Sequence, residues 1–123
     1  MLGENAVYTT IAVNDIAKGK EFYGGTLGLT QVDETPAGVL YQSGPSKVFV
    51  YESPTAGSGQ ATCASWKVPD VSGAVAELEE KGVMFETYDI PGATWEGSVA
   101  VMGPMKSSWF KDPDGNTLCI GSE

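Results

Sequence analysis

The amino-acid sequence predicts an α+β fold of two βαβββ modules, residues 7–53 and 61–121, that form a single domain, residues 1–123. Three observations predict it. Short runs of β-branched residues are separated by turn residues, two of these runs lead into helical patterns, and the order of the elements repeats. One module alone is too small to bury a core, so we expect the two modules to fold together.

The first module begins with a strand and a helix. Residues 7–14 are rich in β-branched side chains, and Asp15 stands where it can cap a helix that runs to about Thr26. Gly19 weakens this helix, and Gly28 suits the left-handed residue that follows many helices. Three strands are expected next, separated by turns rich in glycine and proline: residues 31–35, 38–43 and 47–53.

The pattern restarts after a connector at residues 54–60 that is rich in glycine, serine and proline. The elements expected next are a strand, a helix that ends at Gly82, and another strand: residues 61–67, 71–81 and 83–88. Residues 91–106 predict a longer, glycine-rich irregular region. The chain then closes with a β-hairpin at residues 109–120, whose turn carries aspartate, proline and glycine.

An internal repeat links the two modules. The segment that begins at Val13 matches the segment that begins at Val68, an offset of 55 residues, and Phe49 matches Cys119 at an offset of 70 residues. The larger offset indicates about 15 additional residues in the second module, which we place in residues 91–106.

The charged residues exclude several functions. The chain has a formal net charge of −9, with seven lysines, no arginine and no histidine. An acidic surface repels phosphate backbones, so we expect no nucleic-acid partner. The lack of histidine removes the commonest metal ligand and the commonest general base near neutral pH.

The cellular location is inferred from three features of the chain. No apolar run approaches the ~20 residues that span a bilayer, and the N-terminus shows no secretory pattern. Two cysteines in a chain of this length do not make a disulfide framework. We therefore expect a cytoplasmic protein with reduced thiols and no membrane partner.

The closing hairpin resembles that of a known family. It reads Trp109-Phe110-Lys111-Asp112-Pro113-Asp114-Gly115-Asn116 and continues into an apolar strand. This sequence is similar to the C-terminal hairpin of the vicinal oxygen chelate superfamily, the glyoxalase/bleomycin-resistance/dioxygenase group. Two further segments resemble the family's first helix and the turn after it: Glu21-Phe22-Tyr23 and Leu27-Gly28-Leu29. The resemblance implies the glyoxalase/bleomycin resistance fold, in which two curled mixed sheets surround a shared cleft.

The resemblance also implies where a metal ion would bind. Metal-dependent relatives place one histidine, glutamine or glutamate ligand on each of four strands. The matching positions in this chain are Tyr8, Phe49, Cys63 and Cys119. Phenylalanine cannot bind a metal ion, tyrosine is a poor ligand, and two thiols alone make an incomplete site. We therefore expect no metal, no cofactor and no catalytic residue of the metal-dependent kind.

Strand alternation predicts which side chains line the cleft. The expected ligand-binding residues are Tyr8, Thr10, Phe49, Tyr51, Cys63, Ser65, Trp95, Met102, Met105 and Cys119. This lining is aromatic and weakly polar, which suits a flat organic ligand held by stacking and a few hydrogen bonds. Trp95 is expected on a flexible lid within residues 91–106, which the two methionines flank.

Several of these positions have a second interpretation. The aromatic side chains could instead fill the cleft as core, and Trp95 could pack over the edge of a sheet. Cys63 and Cys119 are either inert thiols or, if their sulfurs are neighbours, a reactive or redox-active pair.

Together these features predict a metal-independent small-molecule binding protein of the glyoxalase/bleomycin-resistance type. It would hold a planar or cationic organic ligand in an aromatic-lined cleft and, as the resemblance implies, form a homodimer. The alternative is an enzyme, lyase or dioxygenase-like, on the same fold with an atypical or absent metal site. Tyr8 or Tyr51 would then act as acid or base. A third possibility is a structural module with a closed cleft.

Overall fold

The computed structural model describes residues 1–122, and the chain divides into two compact units, Met1–Ser58 and Gly59–Glu123. The division falls within the predicted connector. Each unit holds one mixed sheet and a helix that contacts it, which confirms the α+β class. No helix in the described range is long and apolar enough to cross a lipid bilayer.

The first unit contains four strands: β1 (Thr9–Val13), β2 (Thr30–Thr35), β3 (Gly38–Ser43) and β4 (Ser46–Glu52). They form one sheet in the order β1-β4-β3-β2, with β1 parallel to β4 and the other neighbours antiparallel. The helical segments are a short 3-10 helix, helix α1 and a π-helix that continues α1: Leu2–Glu4, Ile16–Lys20 and Glu21–Thr26. The four predicted strands and the predicted helix are confirmed.

Helix α1 starts where the sequence predicts. The Asp15 carboxylate accepts hydrogen bonds from the backbone N–H groups of Ala17 at 2.9 Å and Lys18 at 3.3 Å. Gly19 is buried against β1, and a Cβ on it would lie 3.1 Å from a methyl group of Val13. The glycine that weakens the helix is therefore also the residue that lets the helix approach the sheet.

The second unit contains six strands: β5 (Thr62–Val68), β6 (Phe85–Glu86), β7 (Thr94–Glu96), β8 (Val99–Met102), β9 (Met105–Lys111) and β10 (Thr117–Ser122). Five strands follow the order β5-β10-β9-β8-β7, and β6 pairs with β9 beside that path. Only the β5–β10 pair is parallel among the described pairings of this sheet. Helix α2 (Val71–Glu80) is capped by Asp70, whose carboxylate accepts from the N–H of Gly73 at 3.0 Å.

Residues 91–106 are not the irregular region that the sequence predicts. They contain β7, β8 and the start of β9, joined by two tight turns. Gly97 and Gly103 adopt φ values of 61° and 58° in these turns, which glycine does without steric cost. The glycines that suggest a loop are therefore hairpin residues. The strand predicted at residues 83–88 is also wrong in length, since only Phe85–Glu86 pairs.

The closing hairpin forms at the predicted turn. Asp112 is only 4% exposed, and its carboxylate accepts hydrogen bonds from the backbone N–H groups of Asp114 and Asn116, both at 2.9 Å. The side-chain amide of Asn116 donates to the same carboxylate at 2.7 Å. The buried aspartate therefore stabilises the turn that joins β9 to β10.

The sheet registers confirm the internal repeat. Thr10 pairs with Phe49 between β1 and β4, and Ser65 pairs with Cys119 between β5 and β10. The two pairs are related by the offsets of 55 and 70 residues read from the sequence. The sheet of the second unit differs from that of the first by its two additional strands, β6 and β7.

Each sheet has one face that is buried with its helix. In the first unit the buried side chains include Ile11, Val13, Tyr23, Val39, Tyr41, Val48 and Val50. In the second unit they include Val71, Val75, Phe110, Leu118 and Ile120. Alternate residues of the same strands lie on the opposite face, which we call the open face of each sheet.

We expect Gly38→Ala to destabilise the first unit. Gly38 is buried at the start of β3, and a Cβ there would lie 2.5 Å from the carbonyl oxygen of Val50 and 2.7 Å from Cζ of Phe49. Because the backbone atom cannot move aside without strain, the free energy of unfolding measured in urea should fall by about 1–3 kcal/mol.

Gly25→Ala is the matched control, since nothing lies within 4 Å of the Cβ position at Gly25. This variant should unfold at nearly the urea concentration of the wild type. Equal stabilities of the two variants would contradict the close contact described at Gly38.

Candidate functional site

The open face of the first sheet brings together the residues predicted for this unit. Strand alternation and register place Thr10, Phe49 and Tyr51 on it. The rings of Phe49 and Tyr51 are stacked, with centroids 6.2 Å apart and planes 12° apart. Tyr8, which directly precedes β1, is 48% exposed and lines the same surface as Phe49.

A hollow lies on this open face. Its volume is about 180 Å³, and it is lined by Tyr8, Asp33, Thr35, Gly38, Leu40 and Phe49. Pockets for drug-sized ligands have roughly 300–1,000 Å³, whereas a cavity of about 150 Å³ holds benzene. The hollow therefore matches the size of one ring of a ligand, with aromatic side chains in its wall.

Four residues of the hollow are missing from the sequence prediction: Asp33, Thr35, Gly38 and Leu40. They belong to β2 and β3, and the family resemblance implies no metal-ligand position on these strands. Asp33 pairs with Leu40, and Leu40 pairs with Phe49, so Asp33, Leu40 and Phe49 form one row across the sheet. Only the pairing of the strands reveals this row.

Asp33 is the charged residue of the hollow. Its carboxylate accepts a hydrogen bond from the N–H of Glu34 at 2.9 Å, and it forms no ion pair with the residues in the range 1–122. Glu34, on the other face of β2, pairs with Lys20 at 2.9 Å, and the hydrogen bond from Lys20 lowers the pKa of Glu34. Of these two carboxylates, only that of Asp33 is available to a ligand in the hollow.

The open face of the second sheet is described by two rows of side chains. The first row crosses the sheet through Ser65, Cys119, Trp109 and Glu86. The second row crosses it through Lys67, Gly121, Ser107, Ala100 and Trp95, and Met102 pairs with Met105 on the same face. Five of the six residues predicted for this unit therefore share one surface. The sixth, Cys63, lies at a register irregularity of β5.

Trp109 is the centre of an aromatic cluster on this face. Its ring lies 5.7 Å from that of Tyr88, with planes 78° apart, and 6.4 Å from that of Trp95, with planes 53° apart. Trp95 belongs to edge strand β7, so it lies on a strand and not on the irregular lid that the sequence predicts. Trp109 and Tyr88 are absent from the predicted site. The closing hairpin offered a signal for Trp109, because its turn sets Trp109 opposite Cys119.

The Tyr88 hydroxyl is engaged in a hydrogen bond. It donates to Oε2 of Glu86 at 2.8 Å, and Oε1 of the same carboxylate lies 3.7 Å from Nζ of Lys111. Burial and this hydrogen bond raise the pKa of Tyr88 to about 12. Tyr88 therefore stays protonated at neutral pH.

The four positions implied for a metal ion do not fit one. Phe49 offers no donor atom, and no three histidine, cysteine, aspartate or glutamate side chains converge on a possible metal site within residues 1–122. Glu52, near Phe49 in sequence, lies on the other face of β4 and accepts from the N–H of Ile16 at 3.3 Å. The donors present therefore do not match those of a divalent metal site.

Both cysteines are free thiols in surroundings that favour the protonated form. Desolvation raises the pKa of the Cys63 thiol, and the nearby Asp112 carboxylate raises it further. Desolvation also raises the pKa of Cys119, which a hydrogen bond from Ser65 and the charge of Lys67 only partly oppose. These surroundings support inert thiols and do not suit a nucleophile.

We expect neither thiol to behave as an activated nucleophile. With Ellman's reagent, exposed Cys63 should react more slowly than a small thiol near neutral pH, because a raised pKa leaves less thiolate. Its rate should continue to rise with pH beyond about 8.5, the ordinary thiol pKa. Buried Cys119 should react only in denaturant, and Cys63→Ser and Cys119→Ser assign the two phases. Fast reaction of either thiol at neutral pH would contradict these surroundings.

Several solved structures are similar to this chain over nearly its whole length. A member of the glyoxalase/bleomycin resistance protein/dioxygenase superfamily from Sphaerobacter thermophilus is 23% identical, with a TM-score of 0.72 over 97% of each chain. The antibiotic-binding protein TnmS3 from a Streptomyces species is 21% identical, with a TM-score of 0.68 over 96% of each chain. A lactoylglutathione lyase from Agrobacterium tumefaciens is 18% identical, with a TM-score of 0.70 over 96% of this chain and 93% of its own. The likeness confirms the glyoxalase/bleomycin resistance fold.

The family match agrees with the resemblance read from the closing hairpin and the first helix. No curated protein matches the sequence. The family model described as the Glyoxalase/Bleomycin resistance protein/Dioxygenase superfamily matches residues 5–120. On this match the chain belongs to the Glyoxalase/Bleomycin resistance protein/Dioxygenase superfamily.

Proposed function

We propose that this protein binds a small planar or cationic organic molecule without a metal ion. The observation that carries the proposal is the hollow of about 180 Å³, with the rings of Tyr8 and Phe49 in its wall. A flat ring that stacks on these side chains loses apolar surface to solvent and gains the geometric preference of aromatic pairs.

The charge of the chain supports a cationic ligand. A net charge of −9 attracts cations over long range, and Asp33 places one carboxylate in the hollow itself. Aromatic faces also attract cations through their quadrupoles.

The donor set of this chain supports binding over catalysis, whereas the relatives include both kinds of function. One structure of the same fold is described as an antibiotic-binding protein and another as a lyase, so the fold serves both kinds of function. The metal-dependent chemistry that the family implies needs ligands that Tyr8, Phe49, Cys63 and Cys119 do not supply. The enzyme alternative therefore has no observation in the described residues that favours it.

We also propose a cytoplasmic location. The two cysteines are free thiols, and free thiols persist in a reducing compartment. The surroundings of both thiols raise their pKa values and do not favour a redox-active pair, so they do not point to an oxidising compartment.

Phe49→Leu should weaken ligand binding by about two- to tenfold. The substitution keeps an apolar side chain but removes the ring, and an aromatic contact contributes about 0.5–1.5 kcal/mol beyond its buried area. A thermal-shift screen of planar aromatic compounds identifies the probe, because a ligand at a hundredfold excess over its Kd stabilises the native state by ~2.7 kcal/mol. Calorimetry of the strongest compound then compares the variants, with and without EDTA.

Phe85→Leu is the matched control for this experiment. Phe85 contacts Phe110 in the second unit with ring centroids 5.3 Å apart and does not line the hollow, so its loss should leave the Kd unchanged. Affinity that depends on an added metal ion, or a screen in which no compound shifts the melting temperature, would contradict the proposal.

A homodimer is the second part of the proposal. The open faces leave large side chains exposed, among them Tyr8 at 48%, Tyr88 at 39% and Met105 at 49%. Apolar surface of this kind on a small protein marks a contact site. The family resemblance, in which clefts are completed at a subunit interface, supports a second copy of this chain as the partner.

Sedimentation should give a mass of about twice 12.9 kDa at micromolar concentration. Met105→Lys, on the open face, should shift the equilibrium toward the monomer because it places a charge in an apolar contact. Met84→Lys is the control, since Met84 is 85% exposed outside the strands. A wild-type mass of 12.9 kDa, or equal effects of the two substitutions, would overturn this interface.

A further inference from the structure

We propose that the hollow selects a protonated amine carried by a single aromatic ring, and that the Asp33 carboxylate recognises the charge. This inference rests on the proposed binding function and names the chemical class of the ligand. It follows from the position of Asp33 in the sheet, from its charge environment and from the size of the hollow.

A β-bulge in β2 turns Asp33 onto the open face. Gln31 pairs with Tyr41, but the next pair in the register is Asp33 with Leu40, so Val32 has no partner. In a regular strand Asp33 would pair with Val39, on the face that is buried with α1. The irregular pairing therefore places Asp33 on the open face and Glu34 on the helix side, the reverse of a regular strand. Bulges often aim a side chain at a site in this way.

The bulge also separates the two acidic residues of β2 by face. Glu34 pairs with Val39 on the helix side, where it forms its ion pair with Lys20. Asp33 has no cationic partner among residues 1–122. One carboxylate is thus neutralised within the protein, and the other is left at the wall of the hollow.

Asp33 is the strongest acceptor in the wall of the hollow. The hydroxyl oxygen of Thr35 accepts from the N–H of Ala37 at 3.2 Å, so part of its capacity is used. The remaining side chains of the wall are apolar or aromatic, apart from the Tyr8 hydroxyl. Lys47 lies on the same open face by strand alternation but does not line the hollow. An ammonium group in the hollow would therefore donate to the charged Asp33 carboxylate, because the wall offers few other hydrogen-bond acceptors.

The dimensions favour a short, single-ring amine. Neighbouring strands lie about 4.8 Å apart, so two strand spacings, about 10 Å, separate the strand of Asp33 from that of Phe49. A benzene-sized ring against Phe49 with a one-carbon ammonium arm spans this row. The volume of about 180 Å³ leaves little room for a second ring.

The second unit does not offer the same selectivity. The Lys67 ammonium lies across its open face, 3.4 Å from the position that a Cβ on Gly121 would take, and its charge acts on Cys119. The open face of the second unit also carries Glu86 beside Trp109, but the Glu86 carboxylate lies 3.7 Å from Nζ of Lys111 and accepts from the Tyr88 hydroxyl. Within residues 1–122, the charge without an opposite partner is therefore the Asp33 carboxylate at the hollow of the first unit and the Lys67 ammonium on the open face of the second. A cation is favoured at the hollow of the first unit.

Titrations of the full chain with three matched probes test the inference. Benzylamine, benzyl alcohol and phenylacetate share one ring and differ in charge, and amide chemical shifts of Tyr8, Phe49 and Leu40 report binding in the hollow. Benzylamine should bind about tenfold more tightly than benzyl alcohol, and phenylacetate more weakly than either. Added salt should weaken only the binding of benzylamine.

Asp33→Asn should remove the difference between the amine and the alcohol while leaving the affinity for the alcohol unchanged. Asp89→Asn, which makes the same charge change at an exposed residue of the second unit, is the control and should keep the wild-type order. Melting temperatures of both variants establish that they are folded.

The outcomes separate this inference from the proposed function. Equal affinities of the wild type for all three probes, or a benzylamine preference that survives Asp33→Asn, would overturn the role of Asp33 and leave ligand binding intact. If none of the probes shifts the resonances of the hollow and no compound of the thermal-shift screen binds, the proposed function fails as well. A preference that Asp33→Asn removes and Asp89→Asn keeps supports the inference.

Discussion

A sheet that packs on one helix buries one face, and this constraint decides the chemistry of both units. Side chains alternate along each strand, so the apolar residues on the helix side determine which neighbours face outward. In the first unit, burial of Ile11 and Val50 leaves the paired residues Thr10 and Phe49 on the open face. The aromatic lining is therefore a consequence of the same pattern that builds the core.

These faces could be predicted from the internal repeat, because its offsets identify which residues of the two modules occupy equivalent strand positions. The match of Phe49 with Cys119 predicts equivalent strand positions, and an error of one residue would have moved every side chain to the wrong face. Helix starts were predictable for a local reason. Asp15 and Asp70 each accept hydrogen bonds from the N–H groups of the next few residues, and this contact depends on short-range sequence alone.

Other parts of the site depend on pairing between distant strands, which composition does not encode. Glycine suits both loops and tight hairpin turns, so Gly97 and Gly103 could not by themselves distinguish an irregular region from two strands. The bulge in β2 is harder still to predict, because regular alternation would turn Asp33 toward the helix. The hollow was therefore predicted at Tyr8 and Phe49, where family positions guide the choice, and missed at Asp33.

An aromatic ring and thiols at the positions that the resemblance implies for metal ligands would change how the proposed site selects a ligand. A metal ion holds oxygen atoms through a few strong directional bonds, whereas ring faces make broad contacts that discriminate weakly between flat molecules. Selectivity must then come from shape and from charged groups beside the rings. The repeat gives the two sheets matching strand orders, but β2 carries a bulge that presents Asp33, and β5 carries Lys67 above Gly121. On the proposed function, the charges that would distinguish ligands lie where the two copies differ, while the positions that the copies share would supply the surface on which a ring stacks.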